Sequence, residues 1–106
     1  MIVVTSGHVA GKKIKQTLGI SSGNTVRSRN IGKDITAAFR NIVGGEVMEY
    51  AQLLSSSRSQ AIERMIDHAE NMGANAVVDV RITTSAVMAG TSEILAYGTA
   101  VILEDE

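Results

Sequence analysis

The chain has 106 residues, a net charge of −1, three aromatic side chains, no proline and no cysteine. That length suits one domain, residues 1–106, with a modest aliphatic and methionine-containing core, and the missing thiols exclude disulfides, thiolate metal sites and thiol chemistry. The near-zero total conceals a basic stretch from Lys12 to Arg40 at +6 against a remainder at −7.

Ile2 to Thr5 is a short β-type run with its exit at Ser6-Gly7-His8, and Gly11 marks a turn. Alternation of Ile14, Gln16, Leu18 and Ile20 with Lys13, Lys15 and Thr17 predicts a strand from Lys12 to Ser21. Gly19 suggests a bulge inside it. Gly23-Asn24 reads as a turn and Thr25 to Ser28 as a short return strand. Ile31, Ile35, Ala38, Phe39 and Ile42 have helical spacing, with Asp34 near the start, where the helix dipole favours an acid. Gly44-Gly45 ends that short helix and lets two helices meet at a sharp angle; no Gly-Lys-Ser/Thr follows, so it is not a phosphate loop.

The chain is organised around Val47 to Met72. Val47, Ala51, Leu54, Arg58, Ala61, Met65, Ala69 and Met72 recur every three or four residues, opposite a polar stripe of Glu49, Gln52, Ser56, Gln60, Glu63, Asp67 and Glu70. This is an amphipathic helix of roughly 39 Å. Ser55-Ser56-Ser57 is expected to bend or loosen it. Gly73 suits the left-handed position that ends a helix. Arg58 interrupts the apolar stripe, so it must reach water or meet a carboxylate. His68 lies beside the stripe as a hydrogen-bonded packing residue.

Asn75 to Val87 reads as a strand with Val78, Val80 and Ile82 on one face and Val77, Asp79, Arg81 and Thr83 on the other; Asp79 and Arg81 could bridge along that face, or one of them could pair across the sheet. Met88-Ala89-Gly90-Thr91 is a hairpin, and Glu93 to Leu103 is the last strand. Ile94, Ala96, Gly98, Ala100 and Ile102 form one face of it and Leu95, Tyr97, Thr99, Val101 and Leu103 the other. Both faces are apolar, so both need cover. One helix layer covers only one face, and the second face is most economically covered by another subunit. The tail Glu104-Asp105-Glu106 is expected to fray. The order β-β-β-α-α-β-β defines an α+β domain, a small mixed or antiparallel sheet packed on one long and one short helix.

The separated charges fit either a nucleic-acid surface at Lys12, Lys13, Lys15, Arg27 and Arg29 or a basic part packing on an acidic part of the same or a neighbouring subunit. The balanced total and the lack of aromatics among the basic residues favour the second. There is no basic amino-terminal region before a long apolar run and no apolar stretch of about eighteen residues. A cytoplasmic soluble protein without membrane partners is therefore expected.

Several motifs together carry a family resemblance. They are Asp34-Ile35-Thr36-Ala37-Ala38 and Arg40-Asn41-Ile42-Val43-Gly44-Gly45-Glu46, then Tyr50, Leu53-Leu54, Arg58, Ala61 and Met65. Gly73-Ala74-Asn75-Ala76-Val77-Val78, Arg81 and Glu93-Ile94-Leu95-Ala96-Tyr97-Gly98-Thr99-Ala100-Val101 complete the set. Over essentially its whole length the chain resembles the YbjQ-like proteins, catalogued as heavy-metal-binding domains of unknown function. The resemblance implies a dodecin-like or YbjQ-like α+β subunit in a ring-shaped homopentamer, with β-elements exchanged between neighbours. Heavy-metal binding is poorly matched by these residues, because soft metals prefer thiolates and neither His8 nor His68 has a ligand at metal spacing. A carboxylate site from Glu46 and Glu49, repeated round a ring, could hold a hard cation. No cofactor is otherwise called for.

The expected function is thus that of a homo-oligomeric binding or scaffold protein whose main partner is itself, without catalytic machinery. The alternative is a small-ligand, anion or metal-ion site, or an enzyme, at the subunit interface. Its candidate residues are Arg58, Asp79, Arg81, Glu93 and Tyr97, with Glu46 and Glu49.

Overall fold

The computed structural model describes residues 1–28, 45–89 and 91–106, with side chains for all of these except Ser28 and residues 45–50. Its elements are β1 (Ile2–Val3), β2 (Lys12–Ser28), α1 (Gly45–Asn71), β3 (Ala76–Met88) and β4 (Thr91–Asp105). One sheet of order β1-β3-β4-β2 carries α1 on a single face. β1 runs parallel to β3, and β4 is antiparallel to both of its neighbours. The architecture is the α+β class expected; the short helix anticipated at Ile31 to Ile42 lies outside the described residues.

The two strands expected before and after Gly23-Asn24 are one strand of 17 residues, and no turn occurs there. The physical reason is a close crossing. α1 passes over β2 at Gly23, where a Cβ would overlap the Ala61 carbonyl oxygen and the Met65 amide nitrogen. The glycine serves backbone approach, a role that a composition-based turn rule does not distinguish from chain reversal. The register shifts between Ile14 and Gln16 and again between Thr17 and Gly19, so the irregularity expected at Gly19 is present.

α1 is continuous through the serine run. Among its described side chains the fully buried positions are Ser57, Ala61, Met65 and Ala69, spaced by four. Ser57 Oγ donates to the Leu53 carbonyl at 2.8 Å and accepts from Arg27 Nε at 2.8 Å, and the Ser57 carbonyl accepts from Thr25 Oγ1 at 3.2 Å. The serine expected to loosen the helix therefore anchors it to β2. The helix ends as expected at Gly73, whose φ is +90°. The Gly73 amide donates to the Glu70 carbonyl and the Ala74 amide to the Ala69 carbonyl, both at 3.0 Å, the paired bonds of a Schellman cap.

Strict alternation along β3 fails at Asp79, which has φ +54° and no register partner. This bulge places Val77 and Val80 together in the cluster under α1, with Ile94, Ala96 and Ala100. Ala76 and Val78 lie in a second cluster with Val101 and Leu103, packed by Ile2, Val4 and Val9. The amino-terminal segment thus covers one end of the sheet's second face, the surface that the sequence reading assigned wholly to another subunit. The carboxyl-terminal residues are also ordered into β4: the Glu106 amide donates to the Gly11 carbonyl at 3.2 Å.

The far end of the sheet is different. Residues 81–89 of β3 and its turn are all exposed, including Ile82, Val87 at 58% and Met88 at 65%. Beyond Val80, no described strand lies on the outer side of β3. The structure is accordingly elongated, 57 × 24 × 17 Å, with a Cα radius of gyration of 17.4 Å, against about 13 Å for a compact chain of this length.

Candidate functional site

Register places three of the sequence candidates on one face. Arg81 pairs with Tyr97 across β3 and β4, and Glu93 follows two alternations along β4 opposite Ser85. Leu95 lies between them, and β2 adds Ser22 and Asn24 opposite Tyr97 and Leu95. This face points away from α1, because the neighbours Ser21, Thr25 and Ala96 are the residues against the helix. Asn24 Nδ2 donates to Glu93 Oε2 at 3.2 Å. Tyr97 is 37% exposed and Ile20, on the same face, 74%.

Of the two arrangements open to Asp79 and Arg81, a bridge between them or a pair across the sheet, neither occurs among the described residues. The bulge turns the Asp79 carboxylate toward Gly7, and the Asp79 amide donates to the Ser6 carbonyl at 2.9 Å. Arg81 Nη1 donates to the Thr5 and Val80 carbonyls, each at 2.9 Å. Both residues therefore hold the Thr5 to Gly7 segment against β3, a structural task. Arg58 is exposed on α1, across the sheet from Tyr97, and makes no hydrogen bond or ion pair to a described residue. The side chains of Glu46 and Glu49 lie outside those described.

Sequence reasoning did not single out the contacts between α1 and the outer edge of β2. Arg64 Nη1 donates to the Asn24 carbonyl at 2.6 Å, and the Ser22 amide donates to His68 Nδ1 at 3.2 Å. Arg27 spans to Ser57 and, through Nη2, to Gln60 Oε1 at 2.7 Å. Their spacing of four, Gln60, Arg64 and His68, is the signal that one side of the helix has a common neighbour.

Two ion pairs join basic and acidic residues where β2 meets β4. Lys12 Nζ lies 2.6 Å from Asp105 Oδ1, and Lys13 Nζ lies 3.5 Å from Glu104 Oε1. The Lys12 ammonium, by hydrogen bond and charge, holds the Asp105 carboxyl below its ordinary value. Two of the cations at the start of β2 thus meet acids at the end of β4 within the chain.

The described side-chain hydroxyl donations of Ser6, Ser21, Thr25 and Ser57 all run to backbone carbonyls, so none is poised on a general base. Among the described residues, no group of three His, Asp or Glu side chains lies together as metal ligands. With no cysteine in the chain, no thiolate is present to favour a soft metal. No helix among the described residues is long and apolar enough to cross a membrane.

Among the described residues, a four-stranded sheet backed by one helix, with a projecting arm left uncovered, defines a small α+β module. Residues 1–104 match the family described as "Putative heavy-metal-binding", and the chain belongs to this YbjQ family. It is 54% identical over 101 residues to a UPF0145 protein of Methanosarcina acetivorans, covering 95% of each chain. It is 50% identical over 105 residues to a UPF0145 protein of Clostridium perfringens, covering 99% of each. The fold is similar to a crystal structure of a protein of unknown function of the DUF74 family from Pediococcus pentosaceus. The TM-score is 0.66 with 13% identity, over 98% of both chains.

Proposed function

We propose that this chain is a homo-oligomeric binding or scaffold protein of the cytoplasm, a ring of five subunits without catalytic machinery of its own. One observation carries the assembly reading: the outer edge and faces of β3 from Arg81 to Met88 are exposed. The segment Ile82 to Met88 holds no charge, no proline and no glycine. Such an edge templates strand addition and is ordinarily protected by charge, proline or cover. The number five rests on the resemblance to the YbjQ-like family.

The Val80 amide donates outward, to the Val4 carbonyl at 3.1 Å. Alternation then aims the amides of Ile82, Thr84 and Ala86 at the open edge and leaves those of Arg81, Thr83 and Ser85 to β4. Thr84→Pro removes one outward donor and keeps every ladder bond to β4, so it tests assembly with little harm to the subunit. Native mass spectrometry should give a pentamer for the unaltered protein and smaller species for Thr84→Pro. A monomeric unaltered protein would overturn the proposal.

The second reading places a small-ligand, anion or metal-ion site at the subunit interface. Its support is the meeting of Arg81, Glu93 and Tyr97 on one face of the sheet, with Arg81 and Tyr97 exposed. Thermal-shift screening against anions, nucleotides and metal ions tests it, and the absence of reproducible stabilisation by any class would remove it.

A further inference from the structure

The two edges of the sheet are treated differently. β3 is left open over seven uncharged residues, as described. β2, the other edge strand, carries Lys15 in its first part, beside Lys12 and Lys13, which pair with Asp105 and Glu104 of β4, and a lysine on an edge deters strand addition. Its middle is closed by the helix. Arg64 occupies the outward carbonyl of Asn24 at 2.6 Å, and His68 Nδ1 accepts the outward amide of Ser22 at 3.2 Å while lying 3.3 Å from the Ser22 carbonyl. An incoming strand would need these same groups. The contact at Gly23 holds α1 tightly enough on β2 for both side chains to reach round the edge.

We propose that Arg64 and His68 are the residues that seal the middle of the β2 edge against a strand from a second copy, so that the open β3 edge of one copy cannot add there and open-ended sheet growth is prevented. This rests on the assembly reading for its biological purpose, but not for its test. The seal works by prior occupation: two groups of the main chain that a newcomer would pair with are already bonded within the subunit. Neither side chain is needed for the core, since both are exposed.

The test compares the unaltered protein with Arg64→Ala, His68→Ala and the double variant, by sedimentation velocity over a concentration series and by residue-resolved amide exchange. The double variant should form sheet-rich species larger than the unaltered protein, growing with concentration. The Ser22 amide should exchange roughly fivefold faster in His68→Ala, the factor that one hydrogen bond carries. A folded double variant with an unchanged size distribution would overturn the proposal. If the double variant does not fold, Ser22 exchange in the single variant decides: an unchanged rate overturns it. A monomeric unaltered protein would count against the ring and leave the edge seal to be judged by the variants' growth.

Discussion

Gly23→Ala puts the crossing of α1 and β2 to a direct test. The atoms nearest the new methyl are the Ala61 carbonyl oxygen, the Met65 amide nitrogen and the Arg64 carbonyl carbon, all main chain, so no side chain can rotate away. Helix and strand must separate. Overpacking of this kind costs about 1–3 kcal/mol. Separation also stretches the bonds from Ser21 Oγ to the Met65 carbonyl, 2.6 Å, and from Thr25 Oγ1 to the Ser57 carbonyl, 3.2 Å, each worth about 1 kcal/mol. Replacing glycine returns about 0.5 kcal/mol by restricting the unfolded chain. The net destabilisation is about 3 kcal/mol, a fall in Tm of roughly 12 °C or more for a chain of this size. Urea denaturation and thermal melts followed by circular dichroism, at one fixed protein concentration because assembly couples to stability, measure it. Stability within about 0.5 kcal/mol of the unaltered protein would refute the close crossing, since that is the range of an ordinary surface substitution.

Two further outcomes follow from the charged groups. Arg58→Ala should change the stability of the isolated subunit by less than about 0.5 kcal/mol, because the side chain is exposed and unpaired among the described residues; a larger loss in urea denaturation at dissociating dilution would show a partner within the chain. The Asp105 carboxyl should titrate below 3.8 in the folded protein because of Lys12. Its folded value is the lower one, so the pair's contribution is present above the unfolded value and fades as pH falls through the folded one. A carbon-detected NMR titration should show Lys12→Ala raising the Asp105 midpoint, and an unmoved midpoint would refute the pairing.

Much of the helix and sheet was legible because the signals are local. The four-residue spacing of Ala61, Met65 and Ala69 and the left-handed stop at Gly73 follow from backbone geometry that any helix of this sequence would share. The alternation in β4 likewise identifies a strand with two apolar faces, of which one is buried under α1 and the other only at Val101 and Leu103. Arg58 was harder to place. It occupies an apolar position by periodicity, yet periodicity reports which direction a side chain points and not whether anything lies in that direction.

The sequence by itself determined the α+β class, the long amphipathic helix and the family. Only the tertiary structure decided that Gly23 is a crossing and not a turn, because an extended strand and a reversal use glycine equally well until another backbone approaches. It likewise decided that the bulge at Asp79 moves Val77 and Val80 to one face, since one inserted residue inverts every later assignment in a two-residue repeat. Arg81, Glu93 and Tyr97 are distant in the chain or a few residues apart, and only the register of β3 on β4 brings them to one face. The covering of Val101 and Leu103 by Ile2, Val4 and Val9 has the same origin. Contacts across about a hundred residues of chain are set by how the sheet closes, which no local pattern encodes.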